Sequence, residues 1–197
     1  MRIGDMGDCR IIMGSPLRRY EAVGGRAAKG SHRILLPSAI SGGTINEKLV
    51  EIRPFFTEPS GDCFTNRYDV ALELTAPFSA AFVPVGLEGL FVTSSLCLLR
   101  FRGDPLKAHD PGFVAGYLNL APVSALLRAQ ASGMAMPTLN RSQVEAIDLP
   151  EVPIGEQERI GAVAQTAARA FALRRELDEL ERETVESAYA TVFGETR

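Results

Sequence analysis

At 197 residues the chain has room for one domain of ordinary size with an added element, or for two small domains, and enough apolar material to bury a core unaided. With 46% hydrophobic and 23% charged residues, collagen-like, mucin-like and wholly disordered classes are excluded. The net charge of −3 hides a division: residues 1–150 hold 15 Lys/Arg against 14 Asp/Glu, and residues 151–197 hold 6 against 10. The opening Met1-Arg2-Ile3-Gly4-Asp5 has no basic region followed by an apolar block, so no signal peptide is expected. No apolar run reaches the roughly 18 residues that a membrane-spanning helix needs. Cys9, Cys63 and Cys97 are odd in number, far apart and without metal spacing, which points to a reduced, cytoplasmic setting.

In chain order, Arg10-Ile11-Ile12-Met13 reads as a strand stopped by Gly14-Ser15-Pro16. Residues 10–53 then carry eight basic groups, Arg10, Arg18, Arg19, Arg26, Lys29, Arg33, Lys48 and Arg53, opposed there by Glu21, Glu47 and Glu51. Such an excess is either a footprint for a polyanion or a solvated surface loop, and charge alone leaves both open. Within it, Gly24 to Ser31 has the order Lys-Gly-Ser rather than Gly-Lys-Ser, so it is read as a basic loop and not as a phosphate-binding loop. Further strands are predicted at Arg33–Leu36, Leu49–Ile52, Asp69–Leu74, Ala80–Val85, Leu90–Val92 and Ser95–Phe101. Short strands at this spacing describe a compact, irregular β-rich domain.

After residue 103 the texture changes. Asp110-Pro111 reads as an N-cap followed by proline at the first helical position, with a helix running on through Phe113, Tyr117, Leu118 and Leu120. Pro122 either ends that helix or begins a second one carrying Val123, Leu126 and Leu127. Gly133–Pro137 is expected as a loop, Ser142–Ile147 as a helical turn, and Ile147–Pro150 as an extended stretch, with Pro150 and Pro153 bracketing a stiff connector. From Glu156 to Phe193 there is no proline and one glycine, Gly161. Ile160, Val163, Ala167, Ala170, Phe171, Leu173, Leu177, Leu180, Val185, Ala188 and Val192 recur at steps of three and four, the mark of one long amphipathic helix. Its stripe needs another helix to cover it, from this chain, a second copy or a different protein.

Catalytic chemistry is not visible. His32 and His109 lie in polar, turn-rich surroundings without a metal-ligand spacing and are expected as surface or loop residues, His32 within reach of a phosphate. There is no Gly-x-Ser-x-Gly elbow, no Asn/Asp-Pro-Pro-aromatic motif of an amino-methyltransferase and no Glu-x-Lys of a nuclease core. No catalytic residue and no metal site is expected.

Three blocks carry a resemblance: Asp110-Pro111-Gly112-Phe113-Val114, the Gly133 loop ending Leu139-Asn140, and Ile147-Asp148-Leu149-Pro150-Glu151-Val152-Pro153 leading to Glu156-Gln157-Glu158-Arg159-Ile160. Together they resemble the DNA target-recognition domain of type I restriction–modification specificity subunits, in a single-domain, half-subunit form. More loosely, Ile3-Gly4-Asp5 with Met13-Gly14-Ser15-Pro16 is similar to the family's opening, and Tyr68-Asp69-Val70-Ala71-Leu72 stands where the family usually begins with Gly. A full specificity subunit has two recognition domains and two spacer helices, and this chain has one of each.

The resemblance implies an α/β (α+β) fold: an irregular β-rich target-recognition domain with small helices in residues 1–150, then a long spacer or dimerisation helix in 151–197. It implies a sequence-specific DNA-binding subunit that directs a separate adenine DNA methyltransferase, and a restriction subunit where one is present, to double-stranded DNA. The alternative from another class is a non-catalytic regulatory module, a decoy that binds the methyltransferase without reading DNA. No cofactor is expected on this chain; S-adenosylmethionine belongs to the partner methyltransferase. Candidate DNA-binding residues are Arg18, Arg19, Arg26, Lys29, His32, Arg33, Thr44, Asn46, Asn66, Thr93, Ser94 and Ser95. Candidates for pairing with a second copy, or with another half-specificity subunit, are Val163, Ala170, Leu173, Leu177 and Leu180.

Overall fold

The computed structural model describes residues 1–24, 26–102, 109–133 and 136–194. Its strands, in chain order, are β1 (Cys9–Met13), β2 (Gly30–Leu35), β3 (Ile40–Ser41), β4 (Thr44–Ile45), β5 (Glu51–Phe55), β6 (Val70–Glu73), β7 (Ala80–Phe82), β8 (Phe91–Val92) and β9 (Leu96–Phe101). Helices α1 (Pro111–Leu118), α2 (Ala121–Gln130), α3 (Arg141–Glu145) and α4 (Ile154–Gly194) follow. This is the expected α+β class, with irregular sheets, small helices and one long C-terminal helix.

The central sheet has the order β1-β9-β6-β7, antiparallel throughout. In β6, which fills most of the strand predicted at Asp69–Leu74, Val70, Ala71, Leu72 and Glu73 are all buried. The reason is that both faces of the sheet are covered. Val70, Leu72, Cys97 and Leu99 pack with Phe113, Leu118 and Leu127 from the helical layer. Ala71, Ala81, Leu96 and Leu98 meet Leu35, Leu87, Leu90 and Val92 on the other side. A second sheet, β5-β2-β8, pairs β2 antiparallel to β5 and parallel to β8, and closes over Ile34, Phe55 and Phe91.

Several boundaries move for identifiable reasons. Leu49 does not enter a strand: Asn46 accepts a hydrogen bond from the Lys48 N–H and caps a 3-10 turn at Glu47–Leu49, so β5 starts at Glu51. The strand predicted to Val85 stops at Phe82, and the Leu87 N–H then turns back to the Pro84 carbonyl. The helix capped by Asp110, whose carboxylate accepts from the Phe113 N–H, ends at Leu118 rather than Leu120. Asn119 follows it and bonds both backbone groups of Ala80, tying α1 to β7. Pro122 therefore sits in the first turn of a second helix. Met134 and Ala135 of the predicted Gly133–Pro137 loop, and Gly25 of the basic loop, lie outside the described residues.

The connector before α4 is stitched to the beginning of the chain. The Ile3 N–H donates to the Ile147 carbonyl, the Leu149 N–H to Met1, and the Met1 ammonium to Leu149. Beyond it, α4 runs 41 residues, about 60 Å. Among the described residues no helix is long and apolar enough to cross a membrane.

α4 packs on α1 through small residues. A Cβ on Gly161 would lie 2.1 Å from Asp110 Oδ1 and 2.7 Å from the Phe113 nitrogen, and one on Gly116 would lie 2.7 Å from the Ala164 Cβ. Gln157, buried beside them, accepts from the Asp110 N–H and donates to the Val152 carbonyl. Farther along, Phe171 meets the β3–β4 turn at Gly42, and Lys48 forms an ion pair with Glu176.

Candidate nucleic-acid interface

The β2–β5 pair organises the basic segment. Phe55 packs against Tyr20 and Phe91 at ring-centre distances of 5.9 and 5.1 Å, and the chain from Tyr20 to Ala22 runs alongside the end of β5. Arg18 and Arg19 stand exposed on a 3-10 turn just before Tyr20. Arg26 lies 4.6 Å over the ring of Phe56, and the Lys29 N–H donates to the Phe55 carbonyl. Arg33 follows within β2. The fold thus places Arg18, Arg19, Arg26 and Lys29 near the Phe55 end of β5, with Arg33 farther along β2 opposite Ile52, and among the described residues none of the five is in an ion pair.

The remaining basic groups of the segment are neutralised. Arg10 pairs with Asp62 at 2.8 Å, Arg53 with Glu51 and with Glu21, and Lys48 with Glu176. Lys48 and Glu176 are 128 residues apart, so counting charges within residues 10–53 overstates the field they produce.

His32 is not the open loop residue that its sequence surroundings suggest. Its ring lies 4.8 Å from Phe55 and 5.3 Å from Phe64, and Nε2 is 3.2 Å from a Glu58 carboxylate oxygen. Aromatic packing holds it where a phosphate contact was expected. His109 is likewise tied down, with Nδ1 3.0 Å from Asp8.

The neutral candidates scatter. Thr93 is 6% exposed and donates its hydroxyl to the Leu35 carbonyl, which removes it from any base edge. Ser94 and Ser95 are exposed in the turn before β9. Thr44, in β4 beside α4, donates to the Ser41 carbonyl, and Asn46 caps its 3-10 turn. Asn66 is exposed, its N–H bonded to Asp69. Tyr68 takes φ = 68°, the left-handed conformation for which the related motif uses glycine. Asp69 beneath this turn is fully buried against Arg100, and burial raises its carboxyl above the usual range despite that pairing.

The expected pairing stripe faces away from the body of the protein. Val163 is 70% exposed and Leu173, Leu177 and Leu180 are also exposed, with Ala170 partly so. Gln157, Gly161, Ala164 and Ala168 occupy the opposite, docked side. The docking role of Gln157 and Gly161 was missed, although a lone glycine in a long helix was an available signal. A cleft of about 500 Å³ opens beside them, walled by Gly43, Gly116, Asn119, Ala168 and Phe171. Among the described residues no three His, Cys, Asp or Glu side chains converge on a metal position.

No family model matches the chain, and no curated protein matches it. Solved structures do. A chain from a type I R-M system, studied for its complex assembly and conformational transition, aligns with a TM-score of 0.58 at 19% identity over 95% of this chain and 43% of that one. The HsdS subunit from Thermoanaerobacter tengcongensis gives 0.57 at 18% over 95% and 42%. The type I restriction-modification system S subunit from M. genitalium gives 0.60 at 14% over 100% and 46%. The chain spans less than half the length of these solved chains. At such identities the shared property is the fold, and the fold of this chain is that of part of a type I restriction–modification specificity subunit.

Proposed function

We propose that this chain is a non-catalytic DNA-specificity subunit. In this reading residues 1–150 read one half-site of double-stranded DNA, and residues 151–197 pair with a second copy or with another half-specificity subunit. A separate adenine methyltransferase, carrying S-adenosylmethionine, modifies the DNA. The observation that carries the reading is the fold likeness over 95–100% of the chain, long helix included. Five basic groups that make no ion pair among the described residues, four near the Phe55 end of β5 and Arg33 opposite Ile52, offer what a phosphate backbone requires. Two copies joined through their outward stripes would read a gapped, two-fold-related site.

The test is duplex binding measured against salt. Replacing Arg18, Arg19, Arg26 and Arg33 together by Ala is expected to weaken binding and to flatten the salt dependence by about 0.9 unit per lost phosphate contact. The isolated chain is expected neither to methylate nor to cleave DNA. A second reading, the decoy, draws on the net charge of −3 and on the pairing of Arg10, Lys48 and Arg53 with carboxylates. Tight binding to the methyltransferase with no binding to DNA would select it.

A further inference from the structure

The β2–β5 pair has two chemically different faces. Successive side chains of a strand point to opposite sides. On one face lie His32, Ile34, Glu51, Arg53 and Phe55, with the carboxylate of Glu51 spent on Arg53 and the rings of His32 and Phe55 in contact. On the other lie Ser31 and Arg33 of β2 and Ile52 and Pro54 of β5, with Arg33 directly opposite Ile52 and Ser31 directly opposite Pro54. This second face holds no carboxylate. Ile52 is 70% exposed, although it is a large aliphatic group in a strand. The Arg33 side chain makes no hydrogen bond or ion pair among the described residues.

We infer that this face is a base-reading ribbon, with Arg33 reading guanine and Ile52 contacting the methyl group of a thymine. The inference rests on the DNA-binding reading above and adds to it which element enters the groove. A two-stranded ribbon fits the major groove, where guanine offers two acceptors to a guanidinium and thymine alone of the four bases offers a methyl group. Directly opposed residues in a ribbon have Cβ atoms about 5 Å apart, so Arg33 and Ile52 reach adjacent base pairs. Lys29, one residue before β2, and Arg18 and Arg19 beside Tyr20 flank the ribbon with charge for the phosphates. The carboxylates of Glu21 and Glu51, which would repel DNA, are held by Arg53 on the opposite face. An exposed aliphatic group opposite Arg33 has a use against DNA that it lacks against water.

The experiment selects duplexes from a randomised library with the full-length chain, in parallel for wild type, Arg33→Ala and Ile52→Ala. Wild type is expected to select a motif containing neighbouring guanine and thymine. Arg33→Ala is expected to lose the guanine preference, by roughly tenfold or more. Ile52→Ala is expected to lose the thymine preference. Placing deoxyuridine at that thymine, which deletes only the methyl group, is expected to weaken wild type roughly fourfold and to leave Ile52→Ala unchanged. Both side chains lie outside the core, so both variants are expected to keep the wild-type unfolding midpoint. Identical motifs for all three proteins, or wild-type binding without sequence preference, overturn the ribbon and leave DNA binding standing. Absence of any duplex binding by wild type overturns the DNA-binding reading itself.

Discussion

The first half of α4 is rich in alanine and its second half in acidic residues, and the two sit in opposite surroundings. Between Gln157 and Glu176 one side of the helix is fastened to the protein body by Gly161, Ala164, Ala168 and Phe171, with an ion pair from Lys48 to Glu176 at the end. From Leu177 onward every described side chain is exposed. The contrast shows which sequence signal reports which contact. Where α4 crosses α1 the contact is made by small residues, Gly161 and Ala164 against Gly112 and Gly116, because the two helices approach too closely there for larger ones. Of the large apolar residues of the three-four stripe in the docked half, Phe171 reaches the β3–β4 turn at Gly42, while Val163 and Leu173 are exposed. The periodicity therefore marks mostly a surface that this chain leaves uncovered among the described residues.

The largest expected effect breaks the docked half. Gly161→Val would drive side-chain atoms into the Asp110 carboxylate and the first turn of α1, costing about 3 kcal/mol from overpacking and a damaged helix cap. Urea unfolding checks this, and a wild-type midpoint would mean that α1 and α4 are not in close contact. A smaller effect comes from inside the body on which α4 docks. Burial raises the carboxyl of Glu73, on β6, above the usual range. The folded protein then keeps a proton that the unfolded chain has released, so this group's contribution is full below the ordinary glutamate range and is lost as pH rises through the raised value. Thermal midpoints are expected to fall as pH rises across that window, and Glu73→Gln to flatten the trend, with a gain of about 2 °C at neutral pH. The smallest effect on folding belongs to the free half. Leu177→Glu with Leu180→Glu is expected to shift unfolding by no more than about 0.5 kcal/mol while abolishing self-association in light scattering. A large loss of stability from that pair would mean that the free half packs on its own chain.

Much of this architecture is legible in residue order because local chemistry decides it. The cap at Asp110, the prolines at 111 and 122, and the uninterrupted run after Pro153 each act within a few residues, and the helices appear there. The candidate interface was legible only as a stretch of positive charge. Sorting it required pairings that no local pattern contains: β2 with β5, Arg10 with Asp62, and Lys48 with a glutamate far along the chain. His32 looked open because Phe55 and Phe64 reach it only through the fold, and Thr93 looked available because its acceptor, Leu35, lies on another strand. Ile52 gave no signal alone; its meaning depends on Arg33 standing across from it.

The Gly161 contact also has a mechanical side. The docking that begins there ends at Glu176, and from Glu176 to Gly194 the helix extends about 27 Å, so each degree of bend at that point displaces the far end by roughly 0.5 Å. Asp110 holds the helix near its root, its N–H bonded to Gln157 and its carboxylate against Gly161. Any displacement of the docked half is passed outward to Gly194 along a helix whose described side chains beyond Glu176 are all exposed.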